Sequence, residues 1–551
     1  MIQHLAAFLV VFATLAAVTL AAAVWIRRTS FGGGASTLLI GAGICAAICY
    51  AAFWAWFLHP AAGAAWTILV LAMSAWSVWR ARREVRVIAR EVDLCRPMLA
   101  LLVVGLGYLG LLHLFSSSLG IDQLSAARFF DFLGVDNEIP RLFAERLRTN
   151  TSPRQLLGDW LSSDRPPLQT GVILFAWPVA RVLRLDFVAA AHAAGMWLQL
   201  LWIPAVWAFL RGAGLRARST TTLVALCATT NLCVLHSLYV WPKLGAAAFA
   251  LGAFTLYANR ARRSAAGLAA AGMFAALACL AHGGAAFSLL ALAVMAVFWR
   301  PWPVPRALLA GLLVAAVLLA PWFAYQRFYE PPGNRLLKWH LGGVVPPDGR
   351  GTWETLSAAY RAAGWKNSLD AKLANVRLLF GGNHAQWLQF RPSQAAARRV
   401  DQFYFFFHAL GVWNFALLLA PFAWWRTRAH ADSGVRATRL GAGLLWIALT
   451  LALWCGLMFT AQSTFIHQGS LAANLLLFPL AFVFAAALGR WFFGALVLLH
   501  LAMFATTWLA ATPATRGPLS AGAALVATAA AAALLGLIAL RDRAPLAAEQ
   551  L

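Results

Sequence analysis

Apolar runs of about 20 residues or slightly fewer, parted by short connections rich in arginine, make up most of this chain. Runs of that length and purity suit helices crossing a hydrocarbon layer about 30 Å thick. They fall at 4–26, 35–58, 61–79, 98–115, 187–210, 219–238, 242–258, 264–281, 284–299, 307–324, 403–425, 438–460, 470–488, 491–510 and 519–540. The pattern predicts an all-α polytopic membrane protein of about 15 transmembrane helices. Two polar stretches, 116–170 and 325–402, interrupt it. Residues 352–380 alternate polar and apolar at helical spacing, which predicts amphipathic helices lying over a site. The segment 171–185 is too short for a span, contains Trp177-Pro178 and carries Arg181 and Arg184. It reads as an interfacial or re-entrant helix, because a span there would invert every later connection.

Composition narrows the class. Hydrophobic residues make up 62% of the chain, and a soluble fold would need these runs to alternate with charge. The formal net charge of +25 invites a nucleic-acid partner, but the arginines cluster between spans. That is the charge bias of cytoplasmic connections, and nucleic-acid binding is set aside. Connections on one side carry 23 basic and 6 acidic residues, and those on the other carry 21 and 13. The first side is therefore expected to be cytoplasmic, with the N-terminus and both polar stretches outside. Residues 4–26, followed by Arg27-Arg28, read as a span and not as a signal peptide. None of the seven cysteines lies in a polar stretch, so no disulfide framework is expected. Abundant alanine, and arginine far in excess of lysine, suit a GC-rich bacterial genome. No Walker, CxxC, HExxH or GxSxG motif supports ATP-driven transport, structural zinc or serine hydrolysis.

Candidate chemistry gathers in the polar stretches and at span ends. The first stretch holds Val135-Asp136-Asn137-Glu138, Gly158-Asp159-Trp160-Leu161 and Asp164-Arg165-Pro166-Pro167-Leu168-Gln169. Asp136 could accept a proton or cap a helix starting near Ile139-Pro140. Glu138 is a second carboxylate, and Asp122, nearer its span, is a rival base. Arg165 stands before two prolines that stiffen its backbone, suiting it to grip a phosphate or to pair with Asp159 or Asp164. Lys243 follows Trp241-Pro242 at a span boundary, and could meet an anion or snorkel to the interface. His282 precedes Gly283-Gly284. In the second stretch Arg335, Lys338 and His340 lie among aromatics, suiting a saccharide or phospholipid headgroup or an interfacial aromatic belt. His467-Gln468 offers little context.

Counted from span 98–115, the first polar stretch falls between spans one and two of a module, and the second between spans seven and eight. This layout resembles the GT-C superfamily of membrane glycosyltransferases, and within it the bacterial lipid A aminoarabinose transferase and the protein O-mannosyltransferases. The family places an Asp-Glu motif in the first loop, where Asp136-Asn137-Glu138 has similar acidic spacing. A Gly-Asp-Trp leading to Lys-Pro-Pro-Leu is matched by Gly158-Asp159-Trp160 leading to Arg165-Pro166-Pro167-Leu168. His282-Gly283 stands where the family commonly has Lys-Gly. The likeness covers residues 98–325 best, with extra N-terminal helices over 1–97, a second loop over 326–402 and C-terminal helices over 403–551. The first loop of that module extends over 116–186.

The resemblance implies transfer of a sugar from a polyprenyl (undecaprenyl) phosphate carrier to a periplasmic lipid, polysaccharide or protein, at a bacterial inner membrane. Asp136 would then be the base, with Glu138 and Asp122 as alternatives. Arg165, Lys243, His282, Arg335, Lys338, His340 and Trp160 would bind substrate. The family often holds a metal with a second acid near the outer end of the third module span. Here that stretch reads Tyr239-Val240-Trp241-Pro242-Lys243-Leu244, so magnesium or manganese is doubtful and Lys243 could neutralise the phosphate. The rival readings are an O-antigen ligase or polymerase using a lipid pyrophosphate, and a lipid or polysaccharide transporter. A transporter should show repeated halves and charges buried within spans.

Overall fold

The computed structural model describes residues 1–28, 34–129, 135–259, 264–346, 349–428, 433–460, 470–512 and 515–540. Among them the chain is all-α, with no named strand. Ten helices are long and apolar enough to cross a membrane, from Ile2–Arg28 through Phe187–Gly212 to Ala521–Ala539. An eleventh arises if the pair Ala217–Ala228 and Asn231–Leu238, bent by 65°, counts as one span. A helical span satisfies all its backbone groups internally, which is why apolar runs of this length become helices.

The remaining expected spans differ in instructive ways. Runs 242–258, 264–281 and 284–299 form Lys243–Ala258, Ala265–Ala281 and Gly283–Phe298. At 16 and 17 residues the first two would extend about 24–26 Å at ~1.5 Å per residue. That falls short of the roughly 30 Å of hydrocarbon. The run 403–425 is not one helix. It breaks into Ala395–Tyr404, His408–Trp413, Asn414–Leu418 and Ala420–Arg428. Gly411 adopts φ 52°, a left-handed conformation that favours glycine and ends a helix. Asn414 Nδ2 then donates to the carbonyls of Phe407 and Gly411, at 2.7 and 2.9 Å, in place of helical N–H groups.

The segment expected to be an interfacial or re-entrant helix is embedded. Helix Leu168–Val182 buries Leu168 to Ala176 and packs on Thr37–Leu58 and Phe187–Leu200. Gly171 permits this approach, since a Cβ there would collide with the carbonyl of Cys49 near the middle of its partner. Thr67 donates to the carbonyl of Phe175 at 3.3 Å. The far end emerges beside the first polar stretch, where Arg148 lies over Trp177 and Phe187 at 5.4 and 4.3 Å. The helix therefore starts deep and runs back toward that stretch, as a re-entrant segment does.

Both polar stretches share one end of the bundle. Phe57 closes helix Thr37–Leu58 against Tyr329 at 5.0 Å, and Phe143 of the first stretch lies 6.3 Å from Tyr325. Glu330 binds Ser162 and the Ser163 N–H, tying the second stretch to the first. The opposite end carries the pairs Arg27–Glu91, Arg28–Glu84 and Arg211–Asp93. At the polar end, Arg128, Arg398 and Arg399 are buried without a carboxylate partner among the described residues. Arg128 donates to the carbonyls of Trp508 and Ala510 and Arg399 to that of Thr507, where helix Arg490–Trp508 ends. Arg398 donates to the Thr506 and Thr507 hydroxyls and to the carbonyls of Gln389 and Arg391. The helix-end carbonyls lack helical partners and carry the negative end of the helix dipole, which explains Arg128 and Arg399 there.

Candidate active site

A single turn, Val135–Glu138, leads into helix Ile139–Arg148, with Pro140 in its first turn. Asp136 does not cap that helix. The N-cap is Glu138, whose side chain makes no capping bond. The Asp136 carboxylate instead accepts from Nη2 of Arg165. The pair is largely shielded, with side chains 14% and 6% exposed. Arg165 follows the turn Ser162–Asp164 and precedes the two prolines that start helix Leu168–Val182. Its guanidinium lies 4.5 Å from the Trp160 ring, which holds its plane.

Lys243 opens helix Lys243–Ala258 and is 2% exposed. Its Nζ sits over the Trp241 ring, 2.8 Å from the centroid, and has no hydrogen-bond partner. It feels the charges of Asp136 and Arg165. His282 ends helix Ala265–Ala281, its backbone N–H donating to the Ala278 carbonyl, and its side chain caps the turn Gly283–Ala285 by accepting from the Gly284 N–H at 3.1 Å. It adjoins Lys243, Arg165, His340 and His236 electrostatically. Lys243 thus lies within electrostatic reach of the Asp136–Arg165 pair, and His282 within reach of Lys243, Arg165 and His340.

The connection that presents Lys243 is held by side chains on three sides. His192 donates to the Leu238 carbonyl at 2.8 Å, Asn137 to Tyr239 at 3.1 Å and Gln169 to Val240 at 2.8 Å. Val240 has φ 50°, uncommon for a β-branched residue and held here by these bonds. Gln199 links Gln169 to the Gly245 N–H, at 3.1 and 2.8 Å. His192 belongs to a chain with His4 and His113, with ring nitrogens 2.9 and 3.0 Å apart. Its tautomers follow from one acceptor. The Leu238 carbonyl requires Nε2–H on His192, so neutral His192 accepts from His4, and His4 accepts from His113. Gln169, His192 and Gln199 were not among the expected site residues. For His192 and Gln199 the signal was polarity within the otherwise apolar run 187–210, which marks buried partners; Gln169, in the polar stretch, carried no such signal.

The other expected residues are placed differently. Arg335 is 3% exposed and committed: it donates to the Asp159 carboxylate and carbonyl, to Asp164 at 3.3 Å and to the Val345 carbonyl at 3.2 Å. Asp159 and Asp164 therefore pair with Arg335 where a bond to Arg165 was the expected alternative. Burial pushes the Asp164 carboxyl up, opposed by the Leu161 N–H and by the nearby arginines. Lys338 donates to the Arg350 carbonyl and is buried. His340 stacks on Trp339 at 5.3 Å. Trp160 lies between Arg165 and Arg335, 4.5 and 5.5 Å from their guanidinium carbons, and serves as a platform for cations.

Glu138 and Asp122 belong to a separate space. They line a cavity of about 20 Å³ with Asn137, Arg141, Gln169 and His192, room for roughly one water. Arg141 binds Glu138 at 2.6 Å. Burial raises the Glu138 carboxyl above its usual range and Asp122 adds to this, while Arg141 opposes both. Among the described residues no three His, Cys, Asp or Glu side chains are grouped to hold a metal ion. His467-Gln468 lies outside the described residues. No protein-family model, curated protein or solved structure matches this chain.

Proposed function

We propose that the protein is a membrane glycosyltransferase that moves a sugar from a polyprenyl phosphate carrier, such as undecaprenyl phosphate, to a periplasmic lipid, polysaccharide or protein. The reading rests on Lys243. A buried ammonium without a hydrogen-bond partner is costly unless an anion completes its surroundings. Among the described residues Asp136 is the carboxylate whose charge acts on Lys243, and Arg165 already binds it. Two cations against one anion leave room for a phosphate.

The residues fit the transfer in outline. The acceptor hydroxyl attacks the anomeric carbon, forming a new C–O bond as the bond from that carbon to the phosphate oxygen breaks. The leaving phosphate keeps the electron pair, and Arg165 and Lys243 stabilise its charge. Asp136 takes the hydroxyl proton. His282 and His340 border the same space and suit contacts with the phosphate or the sugar. Metal dependence is not required by this arrangement, since lysine stands where the family often has an acid.

Two measurements test the proposal. Mass spectrometry of surface glycans and lipid A, with the protein present and absent, should show a sugar modification that depends on the protein and on a polyprenyl monophosphate donor. An unchanged profile, or strict use of a lipid pyrophosphate, overturns it. Orientation is tested separately. Cysteines at Ser152 and Ser393 should react with an impermeant thiol reagent in intact spheroplasts, whereas one at Ser433 should not. Labelling of Ser433→Cys alone places the site on the cytoplasmic side.

A further inference from the structure

A guanidinium grips a phosphate best through an edge with two parallel N–H groups, and the edge formed by Nε and Nη2 is one of these. In Arg165 that edge is half occupied. Nη2 donates to Asp136, while Nε is buried without a partner. A phosphate taking both positions competes with the carboxylate for Nη2. The arginine is poorly placed to swing aside, because Trp160 covers its face and Pro166-Pro167 stiffen its backbone. The exchange therefore falls on Asp136, whose other cationic neighbour is Lys243.

We infer that Arg165 is a phosphate-operated latch on Asp136. Without a phosphate the guanidinium holds the carboxylate in an ion pair, which makes it a weak proton acceptor. Phosphate binding takes over the Nε–Nη2 edge and frees the carboxylate for the acceptor hydroxyl. The lipid donor then binds before the acceptor is activated, and the base is exposed only while a phosphate occupies the guanidinium. This rests on the function proposed above and adds an order of events to it.

The latch has a signature that a purely structural ion pair lacks. If Asp136 competes with phosphate for Arg165, removing the carboxylate should tighten phosphate binding although it abolishes transfer. If Asp136 only anchors the arginine, or holds a metal that binds the phosphate, removing it should weaken binding. Full-length protein in nanodiscs is titrated with undecaprenyl phosphate, using wild type, Asp136→Asn and Asp136→Ala. Thermal melting of each preparation selects the variants that fold. The expected result is binding about three- to tenfold tighter than wild type in at least one folded variant, as for loss of a competing ion pair worth up to ~1.4 kcal/mol. Affinity unchanged or weaker in both variants, or failure of both to fold, overturns the latch and leaves Asp136 as a structural anchor. Wild type that does not bind undecaprenyl phosphate at all overturns the proposed function itself, so the two failures are distinct.

Discussion

Asp136→Asn is expected to lower sugar transfer by about 10²-fold or more, the range commonly lost with a general base. The substitution keeps the side chain's size and an oxygen for Arg165, but removes the charge that accepts a proton. No neighbouring carboxylate is placed to compensate. Glu138 is held by Arg141 at 2.6 Å, and it shares its cavity with Asp122 on the other side of Asn137. Asp122→Asn should therefore transfer at a rate near wild type. Initial rates with saturating donor check both variants. A fully active Asp136→Asn beside an inactive Asp122→Asn would move the base into that cavity and leave Arg165 and Lys243 as binding groups only.

Arg165→Ala should act on binding first. Loss of a charge-assisted contact to phosphate is expected to cost roughly 1.5–3 kcal/mol, or about 10- to 150-fold in affinity for undecaprenyl phosphate. The variant also leaves Asp136 buried without its partner, so a lower melting temperature is expected beside the weaker binding. Arg165→Lys separates the two effects. Lysine restores the charge, and it is the residue the resembling family carries there, but it lacks the two-pronged edge. It should recover stability and only part of the affinity. Binding in Arg165→Ala equal to wild type would show that Lys243 alone holds the phosphate, or that the phosphate binds elsewhere.

The architecture was largely legible from hydrophobicity because the bilayer leaves few choices. An apolar run of about 20 residues must satisfy its backbone internally, so Ile2–Arg28, Thr37–Leu58 and Ala521–Ala539 follow from composition alone. Hydropathy does not register how far each helix reaches. It made full spans of 242–258 and 264–281, whereas the helices there have 16 and 17 residues, with Lys243 and His282 buried at their ends. It also could not see that Gly411 and Asn414 break the run 403–425, a matter of one backbone angle and two carbonyls.

The site divides along the same line. Local sequence marked Asp136, Arg165 and Lys243 as candidates, since a stiffened arginine and a lysine at a span boundary stand out from apolar surroundings. Pairing was decided by the tertiary structure. Asp136 meets Arg165 across 29 positions, and Arg335 meets Asp159 across 176. The second of these turned an expected substrate contact into a tie between the two polar stretches. Residue type sets which charges a chain has to bury, but a buried charge acts only on the groups packed within a few ångströms of it. Folding therefore chose which cation was consumed by a structural pair and which, at Lys243, remained without a hydrogen-bond partner.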